Sequence, residues 1–220
     1  MTFRLLDLFC GAGGACKGYQ RAGFRVTGVD IKPQPHYCGD EFHQADALEY
    51  LAAHGAEFDA IHARPPCQAY STTVALHRDK WHPDLLPATR LALEKFRIPW
   101  VIENVMGSPI RWGIILCGVM FGLKTFRHRC FESSHYLWQP AHKKHPEIIG
   151  CRGEGVSPSG YCNPCGHTKM AGQGQKWKEA MAIDWMTVPE LTQAIPPAYC
   201  EYIGKQLMAI LSKGAAHAPA

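Results

Sequence analysis

The sequence predicts an α/β fold: a mostly parallel, doubly wound sheet with helices on both faces and a small irregular insertion. Three observations lead there. Short apolar runs alternate with segments of helical spacing through the first half of the chain. A glycine cluster separates the first run from the first helix, and acids, prolines or glycines punctuate the ends of the runs.

Residues 3–9 read as the first strand, followed by a glycine-rich turn and a helix over about 14–21, which makes one βα unit. A second strand, 25–30, ends on Asp30; a proline-broken loop follows; 46–54 has the composition of a helix, and 58–63 that of a buried strand. After Pro65 and Pro66 the chain is polar and irregular to about residue 83, and helical spacing returns over 87–96 before a strand at 100–103. Further strands are expected at 113–119 and 129–137. Between 139 and 176 Gly, Pro, Cys, His and Lys crowd together and apolar periodicity vanishes, as in an insertion or a substrate-facing segment. Helical spacing resumes over 177–185 and 197–211, and 214–220 reads as a frayed tail. This divides the chain into a main domain, 1–138, the irregular segment, 139–176, and C-terminal helices, 177–213, that return to the main domain.

A length of 220 residues accommodates one α/β core but not two full-sized domains. With 46% hydrophobic and 19% charged residues, long disorder is excluded. No apolar run reaches the roughly 18 residues needed to span a bilayer, and the N-terminus passes straight into a motif, so a cytoplasmic protein is expected. The ten cysteines are then expected to be thiols. A net charge of +4 permits a polyanionic partner without requiring one.

Three constellations carry chemistry. In Asp7-Leu8-Phe9-Cys10-Gly11-Ala12-Gly13-Gly14, glycines between strand and helix let backbone N–H groups approach a ligand; a tight turn without a ligand is the alternative. Asp30, about 20 residues on at the next strand end, is placed to accept ribose hydroxyls, and Asp46 either takes an adenine amino group or caps a helix, roles that are compatible. In Arg64-Pro65-Pro66-Cys67-Gln68, two prolines stiffen the exit from a buried strand and aim the thiol at the carboxyl edge of the sheet, where Arg64, His62 or a helix end could stabilise a thiolate. Glu103-Asn104-Val105 closes another strand on the same rim, with a carboxylate that should be partly buried and suited to proton exchange.

Together and in this order, these motifs resemble the cytosine-C5 DNA methyltransferase family. The similarity extends to Leu116-Cys117-Gly118, to Phe121-Gly122-Leu123, to Arg127-His128-Arg129 followed by Phe131, and to Ile195-Pro196-Pro197-Ala198 with Ile203-Gly204. It covers most of the chain outside 139–176. The resemblance implies a Rossmann-like class I methyltransferase fold, S-adenosyl-L-methionine as cofactor, double-stranded DNA as substrate, and a monomeric or weakly dimeric enzyme. It implies a cofactor site at Asp7, Phe9, Cys10, Gly11, Ala12, Gly13, Gly14, Asp30, Ile31, Asp46, Ala47 and Pro65. In it Phe9 packs on adenine, Gly11 and Gly13 approach the methionine part, Asp30 holds the ribose and Asp46 the amino group. Cys67 is implied as the nucleophile on C6, Glu103 as the group holding N3 and the exocyclic amine, Arg129 as the contact to O2 beside Arg127, and Gln68, Ser71 and Asn104 as substrate contacts. The target base must leave the duplex for this chemistry, and residues 69–86, with His77, Arg78, Lys80 and His82, are placed to close over DNA.

The sequence departs from the family pattern in two places. Only 139–176 is available for target recognition, and Thr125 stands where the arginine motif usually has glutamine. Within that segment Cys151, Cys162, Cys165 and His167 form C-x10-C-x2-C-x-H, a candidate structural zinc set; His142, His145 or Cys130 are substitute ligands, and free thiols in a loop are the alternative. Lys143, Lys144, Arg152, Lys169, Lys176 and Lys178 make the segment basic, as phosphate contacts require. The alternative functions are methylation of cytosine in RNA or in a nucleotide by the same thiol, and a non-catalytic DNA-binding protein that keeps the fold.

Overall fold

Strands β1 (Arg4–Leu8), β2 (Arg25–Asp30), β3 (Glu41–Gln44), β4 (Ala60–Ala63), β5 (Trp100–Val105), β6 (Ile114–Leu116) and β7 (Arg129–Ser133) form one sheet, in the order β3-β2-β1-β4-β5-β7-β6. In this computed structural model the described residues are 2–67, 70, 83–146, 157, 159–164 and 173–216. Strands β1 to β5 pair in parallel, whereas β7 runs antiparallel between β5 and β6. The order reverses between β1 and β4, so the carboxyl ends of these two strands flank the crevice where open α/β sheets bind ligands.

Side-chain alternation sends successive residues of each strand into two apolar layers. Leu5, Val26, Ala60, Val101 and Phe131 pack against helices α1 (Gly14–Ala22) and α6 (Pro197–Ala216), where Tyr19, Tyr199, Ile203 and Leu207 are buried. On the other face Leu6, Leu8, Ile61, Ala63 and Ile102 meet α2 (Ala47–His54) and α3 (Leu86–Leu93) through Leu51 and Leu93. Local signals set the helix ends. Asp46 accepts from the Leu48 and Glu49 N–H groups at 2.8 and 3.0 Å and so caps α2, Pro87 occupies the first turn of α3, and left-handed Gly23 ends α1. On the α3 face Arg90 grips Glu132 of β7 with two bonds of 2.7 Å, both side chains being about 6% exposed.

Helix α4 (Gln173–Met181) begins before residue 177, where helical spacing becomes legible, and the chain continues into the short helix α5 (Val188–Gln193), which apolar spacing did not reveal. Helix α5 is set by a capping box: Glu190 accepts from both Thr187 N–H and Thr187 O–H at 2.7 Å. These two helices bury Trp177, Met181, Met186 and Leu191 against Ala12 of the glycine turn. The strand expected over 113–119 is only three residues long, because Gly118–Phe121 turns into a 3-10 helix; β7 stops at Ser133; and α6 runs on to Ala216, through part of the segment read as tail.

Candidate active site

The glycine turn crosses the carboxyl end of the sheet between β1 and α1. Phe9, Gly11 and Gly13 have φ of 57°, 52° and 85°, and a Cβ on Gly13 would lie 2.8 Å from Cys38 Sγ, so this turn needs glycine for conformation and for space. Asp30, at the end of β2, accepts from the Gly11 N–H at 3.0 Å and the Lys32 N–H at 2.9 Å, which fixes its carboxylate beside the turn. Ile31 next to it is 66% exposed, an apolar side chain left uncovered at the same rim. Both capping bonds of Asp46 fall on Oδ1, and Ala47 is buried behind it. Trp185 closes the far side of the turn by donating its indole N–H to the Ala12 carbonyl at 2.8 Å.

Asp7 and Cys10 lie deeper than the rest of the set. Asp7 is fully buried and its Oδ1 sits 2.8 Å from His62 Nδ1, also fully buried, while Asp7 Oδ2 and His62 Nε2 have no hydrogen-bond partner among the described residues. His62 is thus engaged inside the α1 face of the sheet, against the Tyr19 ring. Burial, with Asp7 and then Asp30 nearby, pushes the Cys10 thiol far up, and it stays protonated.

Cys67 follows β4 on a braced loop. The Arg64 N–H donates to the Leu8 carbonyl at 3.1 Å, the Arg64 guanidinium reaches the Gln193 carbonyl, and the Tyr70 N–H closes a turn on the Cys67 carbonyl at 3.0 Å. The central brace is Asn104, 1% exposed: its Nδ2 donates to the buried Pro65 carbonyl at 3.2 Å and its Oδ1 accepts from the Val105 N–H at 2.8 Å. Asn104 therefore ties the proline loop to the end of β5. Half-buried Cys67 follows β4 on the side where that strand pairs in parallel with β5, with Ala63 opposite Ile102.

Glu103 is buried on the α1 and α6 face of β5, and its Oε1 lies 3.1 Å from Arg129 Nε as an ion pair without hydrogen-bond alignment. The antiparallel register explains the meeting: Glu103 stands opposite Phe131 and Val105 opposite Arg129, so residues 103 and 129 are diagonal neighbours on one face. Arg127 does different work. It donates to the Ala194 and Thr192 carbonyls at 2.7 Å and to the Pro164 carbonyl, and its own carbonyl accepts from the Tyr199 O–H at 3.0 Å. Burial, then the neighbouring Arg129 charge, lower its pKa. Arg129 is accordingly the arginine turned toward Glu103.

The Thr125 O–H donates to Asn163 Oδ1 at 3.3 Å, and the Arg127 N–H donates to the same oxygen at 3.2 Å, so Asn163 steadies the arginine motif. No sequence signal had marked Asn163, Trp185 or the Asp7 and His62 pair; each is a long-range partner visible only once the chain is folded. Gln68, Ser71, Cys151, Cys165 and His167 lie outside the described residues, as does most of 69–86. Cys162 is fully buried beside Trp177, with its thiol 3.8 Å from the Lys176 carbonyl, and burial pushes its pKa up to about 11. His142 and His145 instead converge on Cys117 and His128.

No protein-family model matches the chain. In a 120-position alignment taking in 47% of this chain, it is 28% identical to the type II methyltransferase M.AgeI of Thalassovita gelatinovora, and spans 28% of that protein's length. Two solved structures are similar over nearly the whole molecule. One is described as a DNA modification methyltransferase encoded within a prophage (E. coli), with a TM-score of 0.60, 16% identity, and coverage of 96% of this chain and 100% of the other. The second is the S. pombe Dnmt2 methyltransferase, with a TM-score of 0.61, 14% identity, and coverage of 96% and 99%. No described helix is long and apolar enough to cross a membrane. With its mostly parallel sheet, its single antiparallel strand between β5 and β6 and helices on both faces, the chain has the α/β Rossmann-like fold of methyltransferases.

Proposed function

We propose that this protein transfers a methyl group from S-adenosyl-L-methionine to carbon 5 of cytosine in DNA, with Cys67 as covalent nucleophile. The observation that carries the reading is the convergence, at one sheet edge, of a thiol on a loop tied to β5 by Asn104 and a buried carboxylate paired with Arg129. The names of the relatives, a type II methyltransferase and a DNA modification methyltransferase, point to DNA as the substrate.

The turn fits the cofactor. Exposed Ile31 and the half-buried Phe9 ring flank Asp30 as an apolar slot for a purine, and each oxygen of the Asp30 carboxylate keeps a lone pair for a ribose hydroxyl. Asp46 Oδ2 is the oxygen for an exocyclic amine, and the glycine backbone accommodates the charged amino-acid part. When bound, S-adenosyl-L-methionine supplies an electrophilic methyl group.

The chain's own residues make carbon 5 nucleophilic. The Cys67 thiolate adds to C6 of a flipped cytosine, and the ring electrons move toward C5 as Glu103 holds a proton at N3 and Arg129 stabilises O2. After methylation, loss of the C5 proton re-forms the C5–C6 double bond and expels Cys67 as thiolate. Buried Glu103 does this in a site of low dielectric, where its pairing with Arg129 keeps it oriented.

The test is labelled methyl transfer onto duplex DNA, transfer RNA and dCMP, run in parallel with Cys67→Ala. Transfer to duplex DNA that vanishes in Cys67→Ala, together with covalent trapping on DNA containing 5-fluorocytosine, is expected. Full turnover by Cys67→Ala removes covalent catalysis; transfer to RNA or dCMP alone removes DNA as substrate.

A further inference from the structure

We propose that Cys117, His128, His142 and His145 form a structural zinc site that clips residues 142–145 to the strand carrying the catalytic arginine. The four ligand atoms, one from each side chain, all lie within 4.8 Å of one another. Cys117 Sγ is 3.4 Å from His145 Nε2, and His128 Nε2 is 3.2 Å from His142 Nε2. A tetrahedral zinc with Zn–N of about 2.0–2.1 Å and Zn–S of about 2.3 Å has N–N edges of roughly 3.3 Å and S–N edges of roughly 3.6 Å. Two edges are therefore already at ligand spacing, and none of the other four exceeds 4.8 Å.

The donor chemistry is selective. One thiolate with three neutral imidazoles suits zinc and excludes magnesium or calcium, which take oxygen ligands. The Phe126 ring stacks on His145 with centroids 4.0 Å apart and planes 5° from parallel, which sets the direction of that imidazole. The three histidine rings lie mutually within 5.3 Å, a crowding of like groups that a shared cation would organise.

The clip joins three separate pieces of chain: the end of β6 at Cys117, the start of β7 at His128, and the segment beyond Gln139. His128 stands between Arg127, anchored to the 192–194 backbone, and Arg129, paired with Glu103. The metal would be a positioning element, holding β7 so that Arg129 keeps its place, with no substrate at the ion itself.

The test uses tag-free protein dialysed against zinc-free buffer. Elemental analysis should return about one zinc per chain, His142→Ala should lose most of it, and His142→Cys, which restores a ligand, should regain it. Circular dichroism of His142→Ala should show the fold intact, as expected for an exposed ring. In cobalt-substituted protein, tetrahedral visible bands and a thiolate-to-metal charge-transfer band should appear, the latter lost in Cys117→Ser. Paired Cys162→Ser and Cys165→Ser substitutions should leave the metal in place. Wild-type protein without zinc, zinc unchanged in His142→Ala, or zinc lost only on replacing Cys162 and Cys165 would each overturn the assignment.

Discussion

Asn104 offers the sharpest test of how the proposed nucleophile, Cys67, is held. Replacing it with alanine removes the 3.2 Å bond to the Pro65 carbonyl and leaves that acceptor buried without a partner, at a cost of about 1–3 kcal/mol. At tenfold per 1.4 kcal/mol, a penalty falling wholly on the braced loop shifts the ratio of anchored to released loop by about 5- to 150-fold. Turnover should fall by up to that factor, because a nucleophile displaced by about 1 Å loses on the order of 100-fold. Asp30 and the glycine turn do not bond to Asn104, so cofactor affinity should fall less than turnover, through Pro65 alone. Asn104→Asp keeps the acceptor for the Val105 N–H but faces the Pro65 carbonyl with an oxygen, and should be no better than alanine. Single-turnover methyl transfer, equilibrium cofactor binding and urea unfolding separate these effects. Wild-type turnover in Asn104→Ala, or a loss of cofactor affinity equal to the loss of rate, would refute the bracing argument.

Three further outcomes follow from the same geometry. Glu103→Gln keeps the shape of the side chain but removes its proton chemistry, so turnover should drop by roughly 10²- to 10⁴-fold with cofactor binding retained; a variant as fast as wild type would exclude Glu103 from the chemistry. Glu132→Gln strands buried Arg90, whose pKa is raised by its bonds to Glu132, and should cost about 3–5 kcal/mol in urea unfolding, while Arg90→Met with Glu132→Leu recovers much of it; a loss no larger in the single variant than in the double would contradict this. Although burial opposes its ionisation, hydrogen bonds from Thr187 and His36 hold the Glu190 carboxyl below its ordinary value. Its stabilising effect is present above the ordinary glutamate pKa of about 4.3 and lost as pH falls through the lower folded value, so Glu190→Gln should flatten that part of the acid unfolding curve; superimposable curves for the two proteins would argue against it.

Strands β1, β2, β4 and β5 were legible where apolar runs were bounded by punctuation, as for β2 at Arg25–Asp30 beside the glycine turn of residues 9–14, whereas the polar four-residue β3, Glu41–Gln44, lay hidden in what read as a proline-broken loop. Helix α5 was hidden because six residues hold too little period, and its signal lay in the Thr187 and Glu190 box. That Glu103, Asn104 and Cys67 follow neighbouring strands follows from strand-end reasoning, yet the contacts of Glu103 with Arg129 and of Asn104 with Pro65 depend on register, which one sequence does not encode locally. Likewise the distinct environments of Arg127 and Arg129 arise because one meets the 192–194 backbone and the other a carboxylate. For the proposed metal ligands the C-x2-C spacing drew attention to the irregular segment 139–176, whereas the H-x2-H pair at 142 and 145 meets Cys117 and His128, which flank β6 and β7.

The packing of α6 against α1 has a bearing on how the molecule is made. Gly18 is in contact range of Pro197 and Cys200, and Gly204 of Ala22 and Tyr19, so the two helices touch almost backbone to backbone across some 180 residues of chain. A nascent polypeptide that has already emitted its glycine turn must wait for its last helix before Tyr19 and Cys16 are covered. Until then the first βα unit is exposed to chaperones and proteases, and removing α6 would uncover the helix that follows the glycine turn.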